Sequence, residues 1–160
     1  MSAILTISAV IAFTVNGQTQ DTEDNDHHDH RNEISLATGI VPLVAEDELT
    51  AGFHFHYIRG IGSTNRFGIG IALETIIDEH KHYTASVVFQ YRIYKGLILG
   101  YAPGLLMRKE DSENIFQLAH HIETAYEFEL GEFHIGPMAE LGVEVIGVHY
   151  MFGIHVGMDF

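Results

Sequence analysis

The chain reads as all-β, an eight-stranded antiparallel up-and-down transmembrane β-barrel. Three observations predict this. From Glu33 to Phe160, apolar residues alternate with small or polar ones at a period of two, the pattern of strands with two unlike faces. Polar or glycine-containing breaks divide that stretch into eight segments of roughly 11 to 16 residues, longer than the five or six usual in soluble sheets. The apolar set is large and aromatic, whereas the opposite set is rich in Gly, Ala, Ser and Thr.

In chain order the segments are 34–45, 49–60, 66–78, 82–95, 97–108, 115–130, 132–146 and 148–160. The second sets Phe53, Phe55 and Tyr57 against Gly52, His54 and His56; the third sets Phe67, Ile69, Ile71 and Leu73 against Gly68, Gly70, Ala72 and Glu74. In the fourth, Tyr83, Val87, Phe89 and Tyr91 oppose Thr84, Ser86, Gln90 and Arg92. The sixth opposes Phe116, Leu118, Ile122, Tyr126 and Phe128 to Gln117, His121, Glu123, Glu127 and Glu129. In the seventh, Phe133, Ile135 and Val143 face away from His134, Gly136, Glu140 and Glu144. The last alternates Tyr150, Phe152, Ile154 and Val156 with Gly153, His155, Gly157 and Asp159. Pro103 and Pro137 fall within strands, where a bulge is the expected accommodation.

A soluble barrel with an apolar inside would share this periodicity. Size decides against it. Eight strands enclose a lumen only just wide enough for the side chains that fill it, so the small set belongs inside and the bulky set outside, against hydrocarbon. Aromatics near segment ends (Tyr57, Tyr83, Tyr94, Phe116, Phe128, Phe133, Tyr150 and Phe160) match interfacial girdles.

Composition agrees. The 160 residues include 22 Asp and Glu against 8 Lys and Arg, a net charge of −14, yet 46% are hydrophobic and mean hydropathy is +0.09. The 17 Phe and Tyr separate the chain from disordered acidic proteins. No apolar run approaches the roughly 20 residues of a membrane helix. The acidic balance argues against nucleic acid as a partner, since phosphates would be repelled. Without cysteine there is no disulfide, thiolate ligand or Cys nucleophile.

Residues 1–17 read as a signal peptide: the 13 uncharged residues Ala3 to Val15 form its apolar region, and Val15-Asn16-Gly17 a cleavage site. No Lys or Arg precedes that region. Residues 18–32 read as a disordered acidic leader that cannot bury anything. Within it Asp26-His27-His28-Asp29-His30 concentrates ligands that Zn²⁺, Cu²⁺ or Ni²⁺ favour, although a solvated acidic tail explains the same composition. Residues 33–160 form the barrel.

The chain ends in Tyr150-Met-Phe-Gly-Ile-His-Val-Gly-Met-Asp-Phe160. This resembles the C-terminal signature of outer-membrane β-barrel proteins of Gram-negative bacteria. The resemblance implies outer-membrane lipid and the barrel-assembly machinery as partners, the latter through the strand ending in Phe160. It also implies an outer-membrane location with both termini periplasmic, turns near 60–65, 95–96 and 131 on that side, and short loops on the other. Loops that short disfavour receptor or adhesin roles. The chain is also similar to a group of small proteins with a His/Asp-rich leader, a loop like Ile77-Asp78-Glu79-His80-Lys81-His82, and the run Glu123 to Pro137. That likeness carries over no catalytic residue.

On this register the lumen holds Glu74, Glu123, Glu127, Glu129, Glu140, Glu144 and Asp159, with Arg92 and Arg108 as cations and His54, His56, His121, His134 and His155 as imidazoles. With neutral imidazoles it carries five uncompensated negative charges, which need pairing, protons or bound cations. Three functions follow. The leading one is a non-enzymatic barrel with a polar His/Glu lumen, structural or small-cation-interacting. The second binds a divalent transition metal through His27, His28 and His30 of the leader and His54, His56, His121, Glu123, His134 and His155 of the lumen; no cofactor is otherwise implied. The third is a lipid-modifying enzyme. Lipid-deacylating barrels use a His-x-Ser pair, and His120 has no serine at that spacing, so no nucleophilic constellation is seen.

Overall fold

The computed structural model describes residues 31–43, 48–78, 82–110, 113–145 and 147–160. Among them nine strands are found: β1 (Asn32–Leu43), β2 (Glu48–Ile61), β3 (Phe67–Ile76), β4 (His82–Tyr94), β5 (Leu97–Glu110), β6 (Glu113–Tyr126), β7 (Phe128–Leu130), β8 (Phe133–Glu144) and β9 (Gly147–Asp159). Every neighbour is antiparallel and consecutive, and β1 pairs with β9, so the sheet closes on itself. β6 and β7 are two parts of one wall strand, because both pair with β8 in a single register. The wall is therefore eight strands, as the periodicity predicts.

The seam is clasped at the chain end. The Asn32 amide donates to the Phe160 carbonyl (3.1 Å), and the Phe160 amide donates back to the Asn32 carbonyl (2.8 Å). At this same end the chain reverses through Gly96 and Gly131, whose φ of +75° and +74° a side chain would resist.

The faces follow the alternation. Ile34, Phe55, Ile71, Val87, Leu105, Ile122, Phe152 and Ile154 are exposed, while the residues between them along each strand are covered. The interior is less polar than the sequence reading made it. Ile58, Ala72, Val88 and Ala102 form an apolar stripe on β2 to β5, and Leu106 and Met151 are fully buried.

Neither proline sits at a bulge, which corrects that expectation. The β4–β5 ladder keeps one register on both sides of Pro103 but lapses where Val87 and Val88 face Pro103 and Ala102. The β8 ladder likewise lapses where Gly136 and Pro137 face Glu127 and Tyr126. Proline has no N–H to donate, so pairing stops locally without an inserted residue. The register shift in this wall lies instead between Arg92 and Tyr94.

The lapse at Pro137 divides the predicted segment 115–130. Tyr126 ends β6, Glu127 is covered, and Phe128, Glu129 and Leu130 are all exposed. Glu129 keeps the luminal register, opposite His134, but stands exposed at the rim of the barrel.

Candidate functional site: the histidine and glutamate lumen

The luminal imidazoles occupy gaps made by small residues on adjacent strands. His134 pairs across the sheet with Gly157, His155 with Gly136, and His149 with Gly142. A methyl group at Gly157 or Gly142 would collide with the imidazole opposite. His54 similarly lies beside Ala37, and His56 between Ser35 and Ala72. Glycine and alanine on one strand thus make room for a ring on the next.

The polar side chains form two connected groups. Toward the loop end, His121 Nδ1 lies 3.0 Å from Glu74 Oε2 and 3.1 Å from Glu140 Oε1, and His54 Nδ1 lies 2.8 Å from Glu140 Oε2. His149 reaches Glu74 at 3.4 Å and Glu144 at 3.5 Å. Glu123 joins this group at 3.6 Å from His54 and 3.5 Å from His56. A cavity of about 10 Å³ lies against His54, His56, His121 and Glu123, room for a single water-sized occupant.

At the end holding the turns and the chain terminus, His134 and His155 stack with their Nε2 atoms 3.1 Å apart. Glu127 Oε1 lies 3.2 Å from each of those atoms. Arg92 binds the same carboxylate through Nη1 (2.6 Å) and Glu33 through Nη2 (2.8 Å), and Gln90 donates to Glu33 at 3.3 Å.

Of the sequence-predicted ligands, His54, His56 and Glu123 come together, His121 joins Glu74, Glu140 and His149, and His134 and His155 join Glu33 and Glu127. The six are thus divided among three places. His27, His28 and His30 lie outside the described residues. Two luminal residues were missed. Glu33 lies one residue before the first predicted segment, and His149 lies within the last segment, 148–160, at the parity of His155, but is not among the luminal residues named from the sequence. Counted on the structure, the described lumen gains Glu33 and has Glu129 at its exposed rim, so within it seven carboxylates and six imidazoles face two arginines.

On the outer wall, His120 is exposed and stacks on Tyr101, whose hydroxyl lies 2.9 Å from its Nδ1. Ser35 and Ser86 are buried in the interior and Ser63 is in a turn-end bend, so no described serine accompanies it.

This closed antiparallel wall, bulky outside and small inside, has the fold of the small eight-stranded outer-membrane β-barrels of Gram-negative bacteria. Solved structures with this fold include Neisserial surface protein A (TM-score 0.59, 9% identity, covering 81% of this chain and 96% of that one). The N-terminal β-barrel domain of Pseudomonas aeruginosa OprF matches with a TM-score of 0.54 and 16% identity, covering 81% and 98%. The Yersinia pestis outer-membrane protein Ail, solved in a phospholipid nanodisc, matches at 0.52 and 19%, covering 81% and 99%. No protein-family model matches the chain, and no curated protein matches it in sequence.

Proposed function

We propose that this chain is a non-enzymatic outer-membrane β-barrel, both termini periplasmic, whose His/Glu lumen is closed to bulk flow and balances its excess acid with protons and small cations. The single observation that carries this reading is the charge inventory of the interior. Seven carboxylates and six imidazoles face two arginines inside a wall of eight strands, and the mid-lumen cavity has room for only about one water. On this reading residues 1–17 direct export, residues 18–32 lie in the periplasm, and the clasped strand ending in Phe160 is the segment handled by the assembly machinery. The non-enzymatic reading is drawn from the sequence, in which no serine stands at the His-x-Ser spacing from His120.

The test is planar-bilayer conductance of the full chain in monovalent salt. Silence is expected, and persistent unitary steps would contradict a closed lumen.

A second reading, transition-metal binding, is favoured by three groups of imidazole nitrogens and carboxylate oxygens, each group converging to within 4.8 Å of one another. In that reading the leader residues His27, His28 and His30 gather the ion and the lumen holds it.

A further inference from the structure

We infer that Glu33, Glu127, His134 and His155 form a built, four-coordinate site for a first-row divalent metal ion of the Zn²⁺ class, at the turn end of the lumen. The inference rests on the cation-interacting reading above and names the ligands.

The four residues come from β1, the break between β6 and β7, β8 and β9, and none is more than 4% exposed. One consistent set of atoms converges: His134 Nε2, His155 Nε2, Glu33 Oε1 and Glu127 Oε1. Their separations are 3.1 Å between the two nitrogens, 3.2 Å from each nitrogen to Glu127, and 3.7 and 3.8 Å from His134 and His155 to Glu33. A tetrahedral ion with bonds of about 2.0–2.2 Å sets its ligands about 3.3–3.6 Å apart, so these distances bracket the required edges.

Hydrogen bonding alone leaves this arrangement unexplained. One proton between the two nitrogens satisfies that contact only, and neither Glu33 Oε1 nor Glu127 Oε1 accepts a hydrogen bond although both are buried. The outward atoms of three of the four groups face a polar partner, while His155 Nδ1 is buried without a hydrogen bond. Glu33 Oε2 takes Arg92 and Gln90, Glu127 Oε2 takes Arg92, and His134 Nδ1 faces Asp159 Oδ2 at 3.6 Å. For Glu33 and Glu127 the outer oxygen is anchored and the inner one is bare, the kind of support that orients ligands in metal sites.

Charge agrees. Glu33, Glu127 and Asp159 outnumber Arg31 and Arg92, the arginines at this end, so acid is in excess where the cation would sit. Two imidazoles with two carboxylates suit Zn²⁺, Cu²⁺ or Ni²⁺ better than Ca²⁺ or Mg²⁺, which take all-oxygen shells. A cavity of about 30 Å³ touching Glu33, Arg92 and Asp159 at this end provides the approach. The loop-end group Glu74, His121, Glu140 and His149 converges too and also holds carboxylate oxygens without hydrogen bonds, but there His121 Nδ1 already hydrogen-bonds Glu140 Oε1 at 3.1 Å.

The experiment is calorimetric titration of Zn²⁺ into the full chain folded in lipid vesicles. One tight event per barrel is expected. It persists when His27, His28 and His30 are replaced by Ala, weakens about 100-fold or more in Glu33→Gln and His155→Asn, and weakens about 10- to 100-fold in Asp159→Asn. Zinc-edge X-ray absorption on the loaded, unsubstituted protein needs no variant to fold, and should give two imidazole and two carboxylate ligands. A titration without a tight event, a tight event indifferent to Glu33→Gln and His155→Asn, or an all-oxygen shell overturns the assignment. A barrel that stays electrically silent but takes no zinc would sink this inference while leaving the closed-lumen reading standing. A conducting barrel that loads zinc would do the reverse.

Discussion

Arg92 is the residue on which the turn-end group is organised. Its guanidinium spans Glu33 and Glu127, and each of those carboxylates is almost wholly buried. Removing it leaves two buried charges without their cation. Breaking a fully buried pair costs about 3–5 kcal/mol, and because the Arg92 side chain is 32% exposed the expected loss for Arg92→Leu is about 2 kcal/mol. Urea unfolding in vesicles, with chelator present, measures it. A loss below about 0.5 kcal/mol would mean that water already screens the pair. The cost should shrink when Glu127→Gln accompanies the change, since the two share one interaction. At this scale the sequence was a fair guide to which residue types are inside, but not to their grouping. His134 and His155 are 21 positions apart and Glu33 is more than 100 residues from both, so only the pairing of β1 with β9 and of β9 with β8 brings them together. Glu33 was missed because a charged residue at a strand start looks like a boundary; nothing local marks it as luminal.

Strand faces were the most legible feature, because alternation needs no knowledge of partners. Alternation held even across the ladder interruption at Pro137 on β8, where Glu129 keeps the register of luminal His134, but it did not show that Glu129 lies exposed at the rim. That interruption also has a use: Glu127 stands outside both β6 and β7, with its amide bonded to the Gly96 carbonyl (2.7 Å) and its carboxylate directed to Arg92. Depth along a strand matters as much as face. Ile71 sits midway along β3 and Ile61 at the end of β2, and both are exposed. An arginine at the bilayer midplane costs about 2–4 kcal/mol but only about 0–1 kcal/mol near an interface. Ile71→Arg should therefore destabilise the vesicle-inserted barrel by about 2–4 kcal/mol, and Ile61→Arg by about 1 kcal/mol or less, in the same urea assay. Equal costs at the two positions would argue against a hydrocarbon band centred on Ile71.

At the scale of the whole molecule, a chain that is both strongly acidic and slightly apolar is reconciled by separating the two properties in space. Bulky apolar residues cover the outer wall, and the described acids line the lumen or lie at strand ends and turns. Everything proposed for the interior depends on that inside-out arrangement, because a buried His/Glu lumen exists only if the bulky face meets lipid. The chain contains no tryptophan, so single Trp substitutions give an unambiguous fluorescence signal. The most direct measurement is quenching of Ile71→Trp, Val87→Trp and Tyr94→Trp by lipids brominated along the acyl chain. Ile71 and Val87 are cross-strand partners near the middle of the wall, and Tyr94 ends β4. Strong quenching at positions 71 and 87 with weaker quenching at 94 is the result predicted. Emission at 71 and 87 that is indifferent to brominated lipid would contradict the account.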